Sequence, residues 1–296
     1  AVGRFSGRNI TTSFGNVAMG QYGGAGITTG NTNVAIGYFS MHNSVFAAQV
    51  TGSSNVGVGA YTLRELTSGA KNIAVGELAG DALTTGSSNV VMGYNALGAN
   101  TTGSNNIAIG ENALAVNTTG FNIAIGDNAL AVNTTGRENL AIGSNALAAN
   151  LTGSQQIAIG RAALTAHVGT SSGASIAIGF GALTQATSGG GNTAVGSAAL
   201  TSVTSGSSNT ALGRFAGLSI TTGSENIAIG LQSLTSLSFT GTITGTQNIG
   251  LGNNTLRALT SGSQNIAIGQ GSSIALTTGS QNITIGPSAG AGLTTG

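Results

Sequence analysis

The tetrad Ile107-Ala108-Ile109-Gly110 returns as Ile123-Ala124-Ile125-Gly126, Leu140-Ala141-Ile142-Gly143 and Ile157-Ala158-Ile159-Gly160, at steps of 16, 17 and 17 residues. A fixed period of this size marks a repeat architecture and constrains the fold before any other motif is weighed. A unit this short cannot bury an apolar face alone. It does so only by stacking on its own copies, so each unit contacts mainly its neighbours.

Position 1 denotes the first residue of each tetrad. Complete tetrads begin at Val17, Val34, Val56, Ile73, Val90, Ile107, Ile123, Leu140, Ile157, Ile176, Thr193, Thr210, Ile227, Ile249, Ile266 and Ile283. Ala1-Val2-Gly3 reads as the tail of a further one, which brings the number of units to 17. The other end, Thr294-Thr295-Gly296, also falls in mid-unit, so the chain reads as a piece of a longer one.

Position 4 is always glycine: Gly3, then Gly20, Gly37, Gly59, Gly76, Gly93, Gly110, Gly126, Gly143, Gly160, Gly179, Gly196, Gly213, Gly230, Gly252, Gly269 and Gly286. A side chain must be excluded there, by a positive φ or by a close backbone approach at the strand's end. Positions 1 and 3 are mostly β-branched or Leu/Met, and position 2 is mostly Ala. Such a triplet reads as a short strand with positions 1 and 3 on one face. Ala rather than Thr, Lys or Ser at position 2 implies that the second face is covered as well, closely and by something small.

The residue before the tetrad is Asn in 14 of 16 cases: Asn16, Asn33, Asn55, Asn72, Asn89, Asn106, Asn122, Asn139, Asn192, Asn209, Asn226, Asn248, Asn265 and Asn282, with Gln156 and Ser175 as the exceptions. Coils stacked about 4.8 Å apart would bring these amides into one hydrogen-bonded ladder. Turn propensity alone does not explain so strict a position. Positions 7 and 8 are commonly Ala-Leu, as in Ala113-Leu114 and Ala146-Leu147, which forms a second apolar strip. A minority of units carry Gly at position 8, as Gly7 and Gly217 do, with Ile10 and Ile220 three residues on to fill the space. Positions 12 to 14 are Thr/Ser-Thr/Ser-Gly, which reads as a turn in which the glycine supplies an otherwise forbidden conformation.

These features describe an all-β parallel β-solenoid, a β-roll or β-helix of about 17 coils with a repeat of about 17 residues, forming one array over residues 1–296. The register breaks near 38–51, 166–173 and 235–245, where insertions are expected to bulge as loops. The first carries Tyr38, Phe39, Met41, His42 and Phe46, the densest aromatic patch in the chain.

The Asn-(Ile/Val)-Ala-Ile-Gly unit with its Thr-Thr-Gly-Ser end resembles the head repeats of trimeric autotransporter adhesins. It is equally similar to collar and shaft repeats of phage tail fibres. The resemblance covers essentially the whole chain, although Ala-Leu and the Thr-Thr-Gly turn stand where the adhesin repeat has a Ser-x-Ala-x-Gly half. It implies a homotrimer with small residues toward the partner chains, which would account for Ala at position 2.

Composition narrows the function. Only 5% of residues are charged, against about 25% in ordinary globular chains. A net charge of +1 provides no electrostatic footprint for nucleic acid. A hydrophobic content of 40% is too high for a disordered linker. No stretch is long enough to span a bilayer, and the absence of cysteine rules out disulfides and thiolate metal sites.

Motifs that carry chemistry are sparse. Gly57-Val58-Gly59 and Gly250-Leu251-Gly252 do not continue as nucleotide-binding loops; each is a tetrad with Gly at position 2. His42 and His167, the two histidines, have no acid close in sequence and read as loop residues. Seven acids are scattered as Glu65, Glu77, Asp81, Glu111, Asp127, Glu138 and Glu225; Glu111 and Asp127 share position 5 of adjacent units. Asn-x-Ser/Thr sequons at Asn9, Asn100, Asn117, Asn133, Asn150, Asn253 and Asn282 follow from Asn beside Thr-rich turns.

The expectation is a non-catalytic, extracellular fibre segment of a cell surface or virion, without cofactor or metal. It would assemble with itself and project a binding tip, with a cell-surface or glycan receptor met through that tip or the insertions. Two other classes remain: an ice-binding Thr array, and a tailspike-type polysaccharide depolymerase, which would need paired carboxylates.

Overall fold

The computed structural model describes residues 1–43, 49–168, 173–237 and 241–296. Phe46 and the centres of all three insertions lie outside these residues. The chain is an all-β parallel β-solenoid of about 15 turns with a spacing of about 17 residues. It divides into two compact units, Ala1–Asn145 and Ala146–Gly296.

Every strand is one tetrad's first three residues. The first unit holds β1 (Val17–Met19), β2 (Val34–Ile36), β3 (Val56–Val58), β4 (Ile73–Val75), β5 (Val90–Met92), β6 (Ile107–Ile109), β7 (Ile123–Ile125) and β8 (Leu140–Ile142). The second holds β9 (Ile157–Ile159), β10 (Ile176–Ile178), β11 (Thr193–Val195), β12 (Thr210–Leu212), β13 (Ile227–Ile229), β14 (Ile249–Leu251), β15 (Ile266–Ile268) and β16 (Ile283–Ile285). Within each unit successive strands pair in parallel, like position on like position, as in Ile107↔Ile123 and Ala108↔Ala124. The truncated first tetrad contributes an isolated bridge, Val2↔Met19. The chain rejoins the stack after the first and third insertions through the bridges Ile27↔Val50 and Ile220↔Ile243.

The strands face the opposite way from the expectation. Position 2 points inward: Ala35, Ala74, Ala108, Ala124, Ala158 and Ala194 are 0% exposed. Positions 1 and 3 point outward, and Val17, Ile73, Met92, Leu212 and Leu251 all exceed 40% exposure. The alanine is therefore small because of the chain's own coil, not because a partner presses on it. The interior layer is thin, filled across from the strand by Ala113 and Leu114 and their equivalents, also fully buried.

Two coils show how tightly that layer is filled. Where position 2 is glycine, position 7 gains volume in return. A Cβ on Gly57 would lie 2.8 Å from Ser40 Oγ and 3.0 Å from Thr62 Oγ1. Those hydroxyls bond each other at 2.7 Å, and Ser40 donates to the Gly57 carbonyl at 3.2 Å. The same exchange recurs at Gly250 with Ser233 and Thr255. In the coils with Gly at position 8, Ile10 Cδ1 and Ile220 Cδ1 lie 3.0 and 3.1 Å from where a Cβ on Gly7 and Gly217 would stand.

Closing a coil in so few residues takes sharp corners. At position 4, Gly110 has φ +130°, and a Cβ there would stand 2.6 Å from the Gly126 carbonyl of the next coil. Both reasons for excluding a side chain hold at once. Positions 6, 8 and 16 adopt the left-handed region with ordinary side chains, as in Asn112 (φ 53°), Leu114 (φ 53°) and Glu138 (φ 58°). A leucine held there costs roughly 1–2 kcal/mol. Burying its side chain returns roughly 1.5–3 kcal/mol, which is why Leu persists at position 8. The turn glycine at position 14 is not left-handed. Gly86 is small because Leu83 Cδ1 would be 2.6 Å from its Cβ and the Gly103 carbonyl closer still.

Candidate functional site

Inside each coil the asparagines before the strands bond to one another. In the first unit Asn33, Asn55, Asn72, Asn89, Asn106, Asn122 and Asn139 each donate their backbone N–H to the Oδ1 of the preceding one, at 2.8–3.1 Å. Asn209, Asn226, Asn248, Asn265 and Asn282 do the same in the second unit. The exceptions keep the chain of bonds going: Ser175 N–H donates to Gln156 Oε1 at 2.8 Å, and Asn192 N–H to Ser175 Oγ at 3.2 Å. Apart from the half-buried Asn16 and Asn282 at its ends, the ladder is buried and hydrogen-bonded, so it supports the fold.

A second internal column in each unit was not anticipated as such. Position 11 carries Leu66, Leu83, Asn100, Asn117 and Asn133 in the first unit, and Asn150, His167, Ala186 and Val203 in the second, all buried. The asparagines brace their own turns; Asn100 Oδ1 accepts the Gly103 N–H at 2.7 Å, and Asn150 Nδ2 donates to the Gly153 carbonyl at 3.0 Å. Four of the seven sequons are thus 0% exposed in the folded chain. Their regular spacing in the sequence was the available signal; taking them as a by-product of Thr-rich turns left it unused.

His167 is equally buried, and neither ring nitrogen has a hydrogen-bond partner. Burial pushes its pKa down. It is a core residue, not the loop residue expected. His42 is also buried, packed edge-on to Tyr22 and Phe39 with ring centroids 5.2 and 4.4 Å away. Burial first, and then the Arg8 charge, lower its pKa.

The acids do not converge. Arg64 pairs with Glu65 and Asp81, each at 3.1 Å, and burial raises the Asp81 pKa against the pull of Arg64. Glu111 and Asp127 are exposed. No group of three His, Asp or Glu able to hold a metal ion occurs among the described residues.

The position-12 threonines spend their hydroxyls on the next coil. Thr84 Oγ1 donates to the Thr101 carbonyl at 2.9 Å, Thr118 to Thr134 at 2.7 Å and Thr277 to Thr294 at 2.9 Å. An O–H engaged in this way is not offered to an ice lattice.

Two kinds of surface remain. One is an aromatic column at position 6, where Phe5, Tyr22, Phe39 and Tyr61 stack at 5.0, 4.8 and 5.9 Å. Arg4 caps the Phe5 ring at 4.8 Å and Arg64 the Tyr61 ring at 5.5 Å. The other is the outward strand face, a stripe of Ile, Val, Leu and Met. Eight strands at about 4.8 Å make it roughly 34 Å long in each unit. Contiguous apolar surface of this kind marks a place where a soluble protein meets a partner.

Among the described residues no helix is long and apolar enough to cross a membrane. No family model, curated protein or solved structure matches the chain.

Proposed function

We propose that the chain is a structural and adhesive segment of an extracellular fibre, displayed on a cell or virion and assembled as a homotrimer. The observation that carries this reading is the outward apolar stripe. Val17, Ile73, Met92, Leu212 and Leu251 stand out on the strand face at 41–49% exposure, with no element of the described chain laid over them. In a closed threefold ring a second and third copy would turn their stripes toward the common axis and cover them there.

The burial pattern supports a different contact face from the one the resemblance implies. The resemblance assigns that role to the alanines, but these lie inside their own coil. Positions 1 and 3 take it instead. The trimeric number comes from the resemblance, and the face comes from the burial pattern. A chain with 5% charge and scattered acids favours a scaffold over a catalyst.

Sedimentation equilibrium of the purified chain tests the assembly. The expected mass is three times the 28.5 kDa of one chain. A folded monomer at micromolar concentration would remove the proposal.

A further inference from the structure

The period is shortened at one step only, the 16 residues from Ile107 to Ile123. Around it the stack departs from its rule at position 15. In regular coils that position carries a serine whose Oγ accepts the backbone N–H of the preceding coil: Ala70 N–H to Ser87 at 3.0 Å, Ser87 N–H to Ser104 at 2.9 Å, Ser207 N–H to Ser224 at 3.0 Å. At the short coil the column reads Ser104, Gly120, Arg137. The Ser104 N–H has lost its acceptor, because Gly120 offers no hydroxyl.

The missing residue leaves a shallow notch of about 200 Å³, lined by Ser104, Thr118, Gly120, Phe121 and Arg137 among others. Phe121 is 57% exposed. Elsewhere position 16 holds Ser, Thr, Gln, Glu, Lys, Asn, Ala or Gly; Phe121 is its one aromatic residue. The fold therefore does not demand a ring there. Arg137 lines the notch and the neighbouring Glu138 does not.

We propose that this notch binds a single carboxylated sugar unit, a uronate or sialate residue of a surface glycan. The site deepens the adhesive reading above and rests on it. The exposed Phe121 ring offers an apolar face to the C–H face of a pyranose. The Arg137 guanidinium matches a carboxylate with two parallel N–H donors. Ser104, half-buried on the notch wall, keeps a backbone N–H that a ligand's oxygen would pair. The volume suits one sugar ring, being below the roughly 300–1,000 Å³ of pockets for larger ligands. Repetition of the notch in each copy of an oligomer would raise the avidity of such a single-unit site.

The test is titration calorimetry of the assembled chain with sialyllactose and with a glucuronate-containing tetrasaccharide, using lactose as the uncharged control. One carboxylated probe should bind and lactose should not. Phe121→Ala and Arg137→Gln should each weaken binding at least tenfold. Inserting one serine between Gly120 and Phe121 rebuilds the Thr-Thr-Gly-Ser sequence of the regular coil and closes the notch. That variant should fold with an unchanged or higher Tm and lose binding. Failure of both carboxylated probes to bind the wild-type chain overturns the site, as does binding that survives the insertion. Adhesion of the wild-type chain to cells, undiminished in all three variants, discards this notch and keeps the adhesive reading. A wild-type chain that adheres to nothing discards both.

Discussion

Asn72 donates twice to one atom of Asn55: its backbone N–H and its side-chain Nδ2 both reach Oδ1, at 3.0 and 3.1 Å. The same Nδ2 also donates to the Gly86 carbonyl at 2.9 Å, and Asn72 Oδ1 in turn accepts both donors of Asn89. All four hydrogen-bonding capacities of the amide are used. Asn72→Ala leaves two Asn89 donors and the Gly86 carbonyl unpaired in a buried place. Each orphaned group costs roughly 1–3 kcal/mol, so a loss of about 3 kcal/mol or more is expected. Because a solenoid's stability is a sum over neighbours, the loss should be local. Hydrogen exchange should accelerate at the amides of β3 to β5 and leave β12 to β15 unchanged; uniform acceleration would contradict this.

Gly57→Ala should cost roughly 1–3 kcal/mol, the usual effect of overpacking, since its Cβ would meet Ser40 Oγ and Thr62 Oγ1. Combining it with Ser40→Ala and Thr62→Ala recreates the layer found in the Ala108 coil and should recover most of the loss. Urea denaturation of the single and triple variants measures the coupling. Simple additivity would show that the two positions do not share the space.

The parallel stack was legible because the tetrad recurs at a fixed step, and like residues stacked on like leave little freedom in register. Which way the strands face was not legible. The alanine face was rightly read as closely covered, but in an ordinary half-exposed strand the larger residues point inward, so Ile107 and Ile109 look like core, and the resemblance implies partner chains rather than the chain's own coil over Ala108. The thin coil reverses this. A signal was present: position 2 shrinks to Gly57 and Gly250 where position 7 grows to Thr62 and Thr255, which only two residues sharing one interior would do. The left-handed corners at Leu114 and Glu138 could not be read, because neither residue type favours that conformation and ring closure imposes it. The Phe121 notch required the shortened step to be taken as a feature in its own right.

His167 makes stability pH-dependent. Burial sets its folded pKa below the ordinary 6.5, so between the two values the unfolded chain binds more protons. Stability is then complete above about pH 6.5 and falls as the pH drops toward the folded value. His167→Leu places an apolar residue where Leu83 and Leu259 stand in other coils. It should stabilise by about 1–2 kcal/mol through removal of two unpaired polar nitrogens and should flatten the acid slope, leaving the share due to His42. Thermal melts at pH 7.5, 6.5 and 5.5 compare the two chains; parallel slopes would mean that His167 is not the group that titrates.

The direction of the strand faces separates two ways of assembling. If copies meet through positions 1 and 3, Ile109→Lys with Ile125→Lys puts ammonium groups into the contact between chains, with little cost to the lone coil because both side chains already reach solvent. A buried charge without a partner costs about 3–5 kcal/mol, enough to lower the association constant by more than a hundredfold. The variant should sediment as a monomer and keep its β circular dichroism. Ala108→Lys should do the reverse and destroy the β signal, because Ala108 is 0% exposed within its own coil. Were the alanines the contact between copies, the two outcomes would exchange: the isoleucine variant would stay assembled, and the alanine variant would dissociate while remaining folded.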